Sequence, residues 1–130
     1  MDVSKRKLGD FGERIAVDYL KRKGYQILTQ NYVPQSGDLG KTEIDIVTKK
    51  ENVVIFCEVK TLFGNSSSSF LPQDKVNFLK QRKIIKAAKM YLSEKKLFGV
   101  PWQIDVLSLI INKESQKAKI WHLENVASEF

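Results

Sequence analysis

Three residues carry the chemistry most worth testing in this sequence: Asp45, Glu58 and Lys60. In Glu43-Ile44-Asp45-Ile46-Val47, strand alternation sends the two carboxylates to one face and Ile44 and Ile46 to the other. In the apolar run Val53 to Lys60, Glu58 and Lys60 share a face, with Cys57 and Val59 opposite. Five consecutive apolar residues precede Glu58, which marks a central strand whose charged end is not solvated as an edge would be. A hairpin centred between Glu51 and Asn52 brings Asp45 level with Glu58. Carboxylates gathered on one face repel unless a proton or a cation joins them. A hard divalent ion takes oxygen ligands, and a nearby lysine can stabilise a crowded phosphoryl transition state. The competing reading is a cross-strand ion pair between Glu43 or Asp45 and Lys60, which by itself contributes little.

Two helices must position this strand pair. The first is expected from about Lys5 to Lys23, with Leu8, Phe11, Ile15, Ala16 and Tyr19 at helical spacing and Gly24 as its stop. Glu13 sits at the margin of that apolar stripe, either half-buried toward the sheet or on the surface paired with Lys5 or Arg14. The second is expected from about Gln73 to Lys96, broken by Gly99-Val100-Pro101. Lys80 falls inside its apolar stripe with Val76, Ile84, Ala87 and Tyr91, and either snorkels or reaches a polar site.

Strands are expected at Tyr25 to Tyr32, Glu43 to Thr48, Val53 to Thr61, Trp102 to Ile111 and Lys119 to Leu123. Loops fill Val33 to Thr42 and Phe63 to Pro72, the second serine-rich and expected to be mobile. Gly37-Asp38-Leu39-Gly40 lacks the features of a phosphate-binding loop. A long helix between the third and fourth strands implies a crossover in a mixed sheet, hence an α/β class. His122 reads as structural and Cys57 as a core residue.

The 130 residues suffice for one domain with one core. No apolar run is long enough to span a bilayer, no signal-peptide core follows the basic N-terminus, and one cysteine permits no internal disulfide, so a cytoplasmic protein is expected. The net charge of +7 favours polyanionic partners. Between Lys75 and Lys96, eight basic residues face Glu94 alone, an excess equal to that of the whole chain. Arg82, Lys83 and Lys86 in this stripe, with Lys80, are candidate nucleic-acid contacts.

Nearly the whole chain resembles the YraN-like bacterial family, and through it the archaeal Holliday-junction resolvases and the PD-(D/E)xK nucleases. The resemblance rests on Gly12-Glu13 with Ala16 and Tyr19-Leu20, and on Gly24-Tyr25 with Ile27-Leu28 and Asn31. It continues through Glu43-Ile44-Asp45-Ile46-Val47, Phe56 with Glu58-Val59-Lys60-Thr61, Val76 with Lys80-Gln81, Ala87-Ala88, Tyr91-Leu92 and Asp105-Val106. It implies a restriction-endonuclease-like fold, a mixed sheet of four or five strands flanked by helices. Asp45 and Glu58 would ligate Mg²⁺ or Mn²⁺ with the carbonyl of Val59. Lys60 would be the catalytic lysine, Glu13 would join the catalytic set, and Lys80 would touch substrate or water. The activity implied is endonucleolytic hydrolysis of DNA, on branched or flapped structures, by a homodimer. The alternative is a non-catalytic nucleic-acid-binding module on the same fold. The chain departs from the family's usual pattern in Thr42, Leu62 and Gln103-Ile104, where glycine, arginine and Arg-Phe are common.

Overall fold

The computed structural model describes residues 2–35, 42–64, 78–112 and 114–128, without the side chains of 2–8, 78–81 and 128. The elements run α1 (Asp2–Arg22), β1 (Gln26–Tyr32), β2 (Ile44–Lys50), β3 (Val53–Phe63), α2 (Phe78–Glu94), β4 (Trp102–Ile111) and β5 (Ala118–Ser128). The strands form one sheet in sequence order; only β3 and β4 are parallel, and α2 makes the crossover that a parallel pair requires. The α/β class and the mixed sheet follow the sequence, and β3 is central as its apolar run demands. The serine-rich loop, the glycines at 37 and 40 and the first residues expected in the second helix lie outside the described residues.

α1 ends as Gly24 predicts. Gly24 has φ 90, its N–H donates to Lys21 O at 3.0 Å, and Tyr25 N–H donates to Leu20 O at 2.9 Å, closing a Schellman cap. α2 ends at Glu94, close to the Lys96 expected. Lys96 takes the left-handed position with φ 57, and Leu97 N–H reaches Leu92 O at 2.8 Å. The same cap forms around a lysine, at a steric cost that glycine escapes.

The β2–β3 turn is tighter than the four polar residues suggested. Only Glu51 and Asn52 lie outside the ladder, with φ 50 and 66, the two left-handed residues of a type I′ hairpin. That turn fixes the register, Lys50 against Val53 through Ile46 against Cys57.

Each face of the sheet buries its own cluster. On one side Ala16, Val17 and Leu20 of α1 pack on Ile46, Ile55, Cys57, Leu107 and Leu109. On the other, Ile84, Ala87, Ala88 and Tyr91 of α2 pack on Ile44, Val47, Val54, Phe56, Trp102 and Ile104. Cys57 is fully buried, as expected. α1 lies tight against the sheet at Gly12, where a Cβ would stand 2.0 Å from Thr61 Oγ1 and 2.9 Å from its Cβ. No side chain fits between helix and strand at that point. No helix among the described residues is long and apolar enough to cross a membrane.

Candidate functional site

The β2–β3 ladder ends at Ile46 and Cys57, one step before Asp45 and Glu58 would face each other. Beyond it Asp45 supplies the acceptor itself: Val59 N–H donates to Asp45 Oδ2 at 2.7 Å. The N–H and C=O of one strand residue point the same way, so the carbonyl of Val59 opens into the same gap. Strand alternation breaks here, contrary to the sequence reading. Ile44 joins the α2-side cluster and Ile46 the α1-side cluster, so the two isoleucines do not share a face. The β1–β2 register sets Asn31 beside Asp45, and Asn31 has φ 53, far from extended backbone. With pairing lost on one side and a left-handed residue on the other, β2 is free to turn Asp45 toward α1.

The result is a cluster of acids from three segments. Carboxylate oxygens of Glu13 on α1, Glu43 just before β2 and Asp45 on β2 lie within 4.8 Å of one another. With its nitrogen facing the acids, the Asn31 amide donates to Glu43 Oε1 at 2.7 Å and to Glu13 Oε1 at 3.1 Å. Burial pushes the Asp45 carboxyl up to about 6; the Val59 hydrogen bond opposes this, and the charges of Glu13, Glu58 and Glu43 reinforce it. Glu13 is also raised, by burial first and then by Glu43, with the Asn31 hydrogen bond pulling the other way. Of the two positions weighed for Glu13, the half-buried one facing the sheet is observed.

Glu58 and Lys60 do share a face, since Cys57 and Val59 belong to the α1 side. Their side chains form an ion pair, Lys60 Nζ to Glu58 Oε1 at 3.0 Å. Glu58 therefore adjoins Asp45 electrostatically while the tightest oxygen group is Glu13, Glu43 and Asp45. Glu43 and Asn31 are the members that sequence reasoning left without a role. Alternation had put Glu43 beside Asp45, but nothing in the spacing showed that α1 would meet them both. On α2, Arg82, Lys83 and Lys86 are exposed, opposite the buried stripe of Ile84, Ala87 and Tyr91. The backbone of Lys80 lies in α2, and its side chain is outside the described residues.

The donor set fits a hard divalent cation. All three close groups are carboxylates, oxygen donors of the kind that Mg²⁺ or Mn²⁺ takes. The raised Asp45 carboxyl reflects its burial first and the neighbouring carboxylates second.

A second group, Asp105, His122 and Glu124, also has ligand atoms within 4.8 Å of one another. Asp105 is fully buried and already supplied. Gln103 Nε2 and Asn125 N–H donate to Oδ1, each at 2.8 Å, and His122 Nε2 lies 2.6 Å from Oδ2. With the His122 proton on Nε2, its Nδ1 accepts the Tyr19 hydroxyl at 2.9 Å. This is a structural network, as His122 was expected to be. Gln103, one of the departures from the family pattern, works within it.

The model of the uncharacterised protein family UPF0102 matches residues 12–109, a span that contains Glu13, Glu43, Asp45, Glu58 and Lys60. A UPF0102 protein of Clostridium botulinum is 36% identical over 126 residues, covering 96% of this chain and 97% of the relative. UPF0102 proteins of Clostridium beijerinckii and Clostridium perfringens are 38% and 37% identical over 120 residues, covering 92% of this chain and 92% and 93% of theirs. The matches run through both helices and the central strands that carry the acids, and on that footing the chain belongs to the UPF0102 family, the YraN-like family its motifs resemble.

Proposed function

We propose that this protein is a divalent-cation-dependent endonuclease that hydrolyses phosphodiester bonds in DNA. The observation that carries the reading is the meeting of Glu13, Glu43 and Asp45, from three separate segments, beside the Glu58–Lys60 pair where β2 and β3 part. The resemblance of these same positions to the PD-(D/E)xK nucleases and junction resolvases supports it.

Asp45, Glu13 and Glu43 would hold Mg²⁺ or Mn²⁺, with Glu58 and the Val59 carbonyl as further oxygen donors. The ion, when bound, would supply Lewis-acid charge to the scissile phosphate and lower the pKa of water. The remaining work falls to the chain. Val59 N–H fixes the orientation of Asp45, and Asn31 spaces Glu13 from Glu43. Lys60, held by Glu58, presents an ammonium where charge develops on the phosphoryl oxygens. Arg82, Lys83 and Lys86, with Lys80, would take flanking phosphates in a salt-sensitive manner. Cutting two strands symmetrically at a branch would call for two copies of the chain, and a homodimer is expected on that ground.

The test is cleavage of junction, flap, single-stranded and duplex DNA in Mg²⁺ and in Mn²⁺, beside Asp45→Ala and Lys60→Ala. Cleavage by the unaltered chain that both substitutions abolish is expected. Salt-sensitive binding without cleavage, unchanged by either substitution, would instead establish a non-catalytic binding module.

A further inference from the structure

Across β3, β4 and β5, the register aligns Lys60, Ser108 and Trp121 in one row. Their neighbours Val59, Leu107, Leu109 and Ile120 pack toward α1, and His122 bonds Tyr19 of α1, so the row lies on the opposite face. One step further along that face the next row is Leu62, Ile110 and Lys119. Among the described residues, the buried cluster beneath α2 takes Phe56 and Ile104 at the other end of these strands and does not include either row. Trp121 is 37% exposed and Leu62 39%, and Lys119 is exposed beside them. Between Lys60 and Trp121, Ser108 is 3% exposed, and its Oγ has no hydrogen-bond partner.

An exposed indole with lysines on either side is chemistry that suits unpaired nucleotides. Every base offers a π-face to stack, and the phosphates meet the lysines. In a paired duplex those faces are occupied by neighbouring bases. Two strand spacings separate Trp121 from Lys60, on the order of 10 Å between Cα atoms, which is the scale from a phosphate to the base of an adjoining nucleotide. We infer that Trp121 is a stacking platform for an unpaired base next to the scissile phosphate, so that the substrate is single-stranded or locally opened nucleic acid. This rests on the nuclease reading above and narrows its substrate.

The sequence has two tryptophans, so Trp102→Phe leaves Trp121 as the only indole reporter. In an Asp45→Asn, Trp102→Phe background, which keeps the strand intact, fluorescence is titrated with a single-stranded oligodeoxynucleotide, the matching oligoribonucleotide and the matching duplex. Saturable quenching by the single strands is expected, with the duplex at least tenfold weaker. Read instead by the anisotropy of a dye-labelled single strand, Trp121→Ala should weaken binding about tenfold and Trp121→Phe should restore most of it, melting temperatures confirming that both variants fold. If the deoxy and ribo strands quench alike, the platform reads bases and not sugars, as stacking requires. Equal quenching by duplex, or single-strand affinity unchanged in Trp121→Ala, overturns the platform. If the unaltered chain still cleaves DNA in that case, the nuclease reading stands without it. Absence of both binding and cleavage removes the two together.

Discussion

Two acidic groups among the described residues are built from similar parts and end in opposite states. Asp105 is fully buried, yet three donors supply its two oxygens, from Gln103, His122 and Asn125. Asp45 receives the Val59 N–H and otherwise faces the negative charge of Glu13, Glu58 and Glu43. Burial is therefore not what separates a structural acid from a candidate ligand. The separation lies in whether the protein has already answered the charge. Asp105 is answered within the fold, and Asp45 among the described residues is answered by one N–H alone; on the proposed reading a cation supplies the rest.

This contrast can be broken at either end. The largest effect is expected from Asp105→Ala, which strands the partners of a buried charge and should cost about 3–5 kcal/mol. Urea unfolding would measure it, and a loss below 1 kcal/mol would mean that the network is not structural. The cation-induced rise in melting temperature should survive in that variant.

Asp45 should behave in the reverse way. Its folded pKa of about 6 lies above the ordinary 3.8, so between those values the folded chain holds more protons than the unfolded one. Its contribution is thus present at pH 4 and is lost as pH rises through 6. Asp45→Asn should flatten that part of the pH–stability curve and raise cation-free stability at pH 7 by about 2 kcal/mol. It should also abolish stabilisation by Mg²⁺. A variant less stable than the unaltered chain at pH 7 would place Asp45 with Asp105 as a structural acid.

Gly12→Ala tests the distance between α1 and the sheet. Overpacking against Thr61, partly offset by better helix propensity, should leave a net loss of about 1 kcal/mol. Cation binding should weaken more than stability does, because Glu13 moves with the helix; equal Mg²⁺ affinity in the variant would detach Glu13 from the site. The smallest effect is expected at Asn31→Gly, which keeps the left-handed φ and removes only the amide. Stability should change by a few tenths of a kcal/mol. The pH at which Mg²⁺ begins to bind should rise, since Glu13 loses the hydrogen bond that holds its carboxyl down, and an unmoved onset would show that the amide does not govern it.

Much of this was legible in the sequence for identifiable reasons. The apolar run before Glu58 and the polar turn at Glu51 and Asn52 fixed a central strand and a register, and the ladder from Lys50–Val53 to Ile46–Cys57 obeys that arithmetic. The helical stripe of α1 put Glu13 at the edge of the core. What could not be read depended on departures from regularity. Alternation assumes an extended strand, and it fails at Ile44 and Asp45 because the ladder stops and Asn31 is left-handed. The Tyr19–His122–Asp105 chain joins residues up to 103 positions apart, and nothing local marks them. The end of α2 was close to the Lys96 expected, but the left-handed cap there centres on a lysine that composition does not mark.

The contact of Gly12 with Thr61 bears on which ion the site prefers. Backbone touches side chain there with nothing between, so the height of Glu13 above Asp45 is set by the smallest spacing the two elements allow. Mg²⁺ wants oxygens at about 2.0–2.1 Å and Ca²⁺ at about 2.3–2.6 Å. On the proposed reading, glycine at this position keeps the oxygen cage at the smaller ionic radius, and one added methyl group would tilt the same acids toward the larger ion.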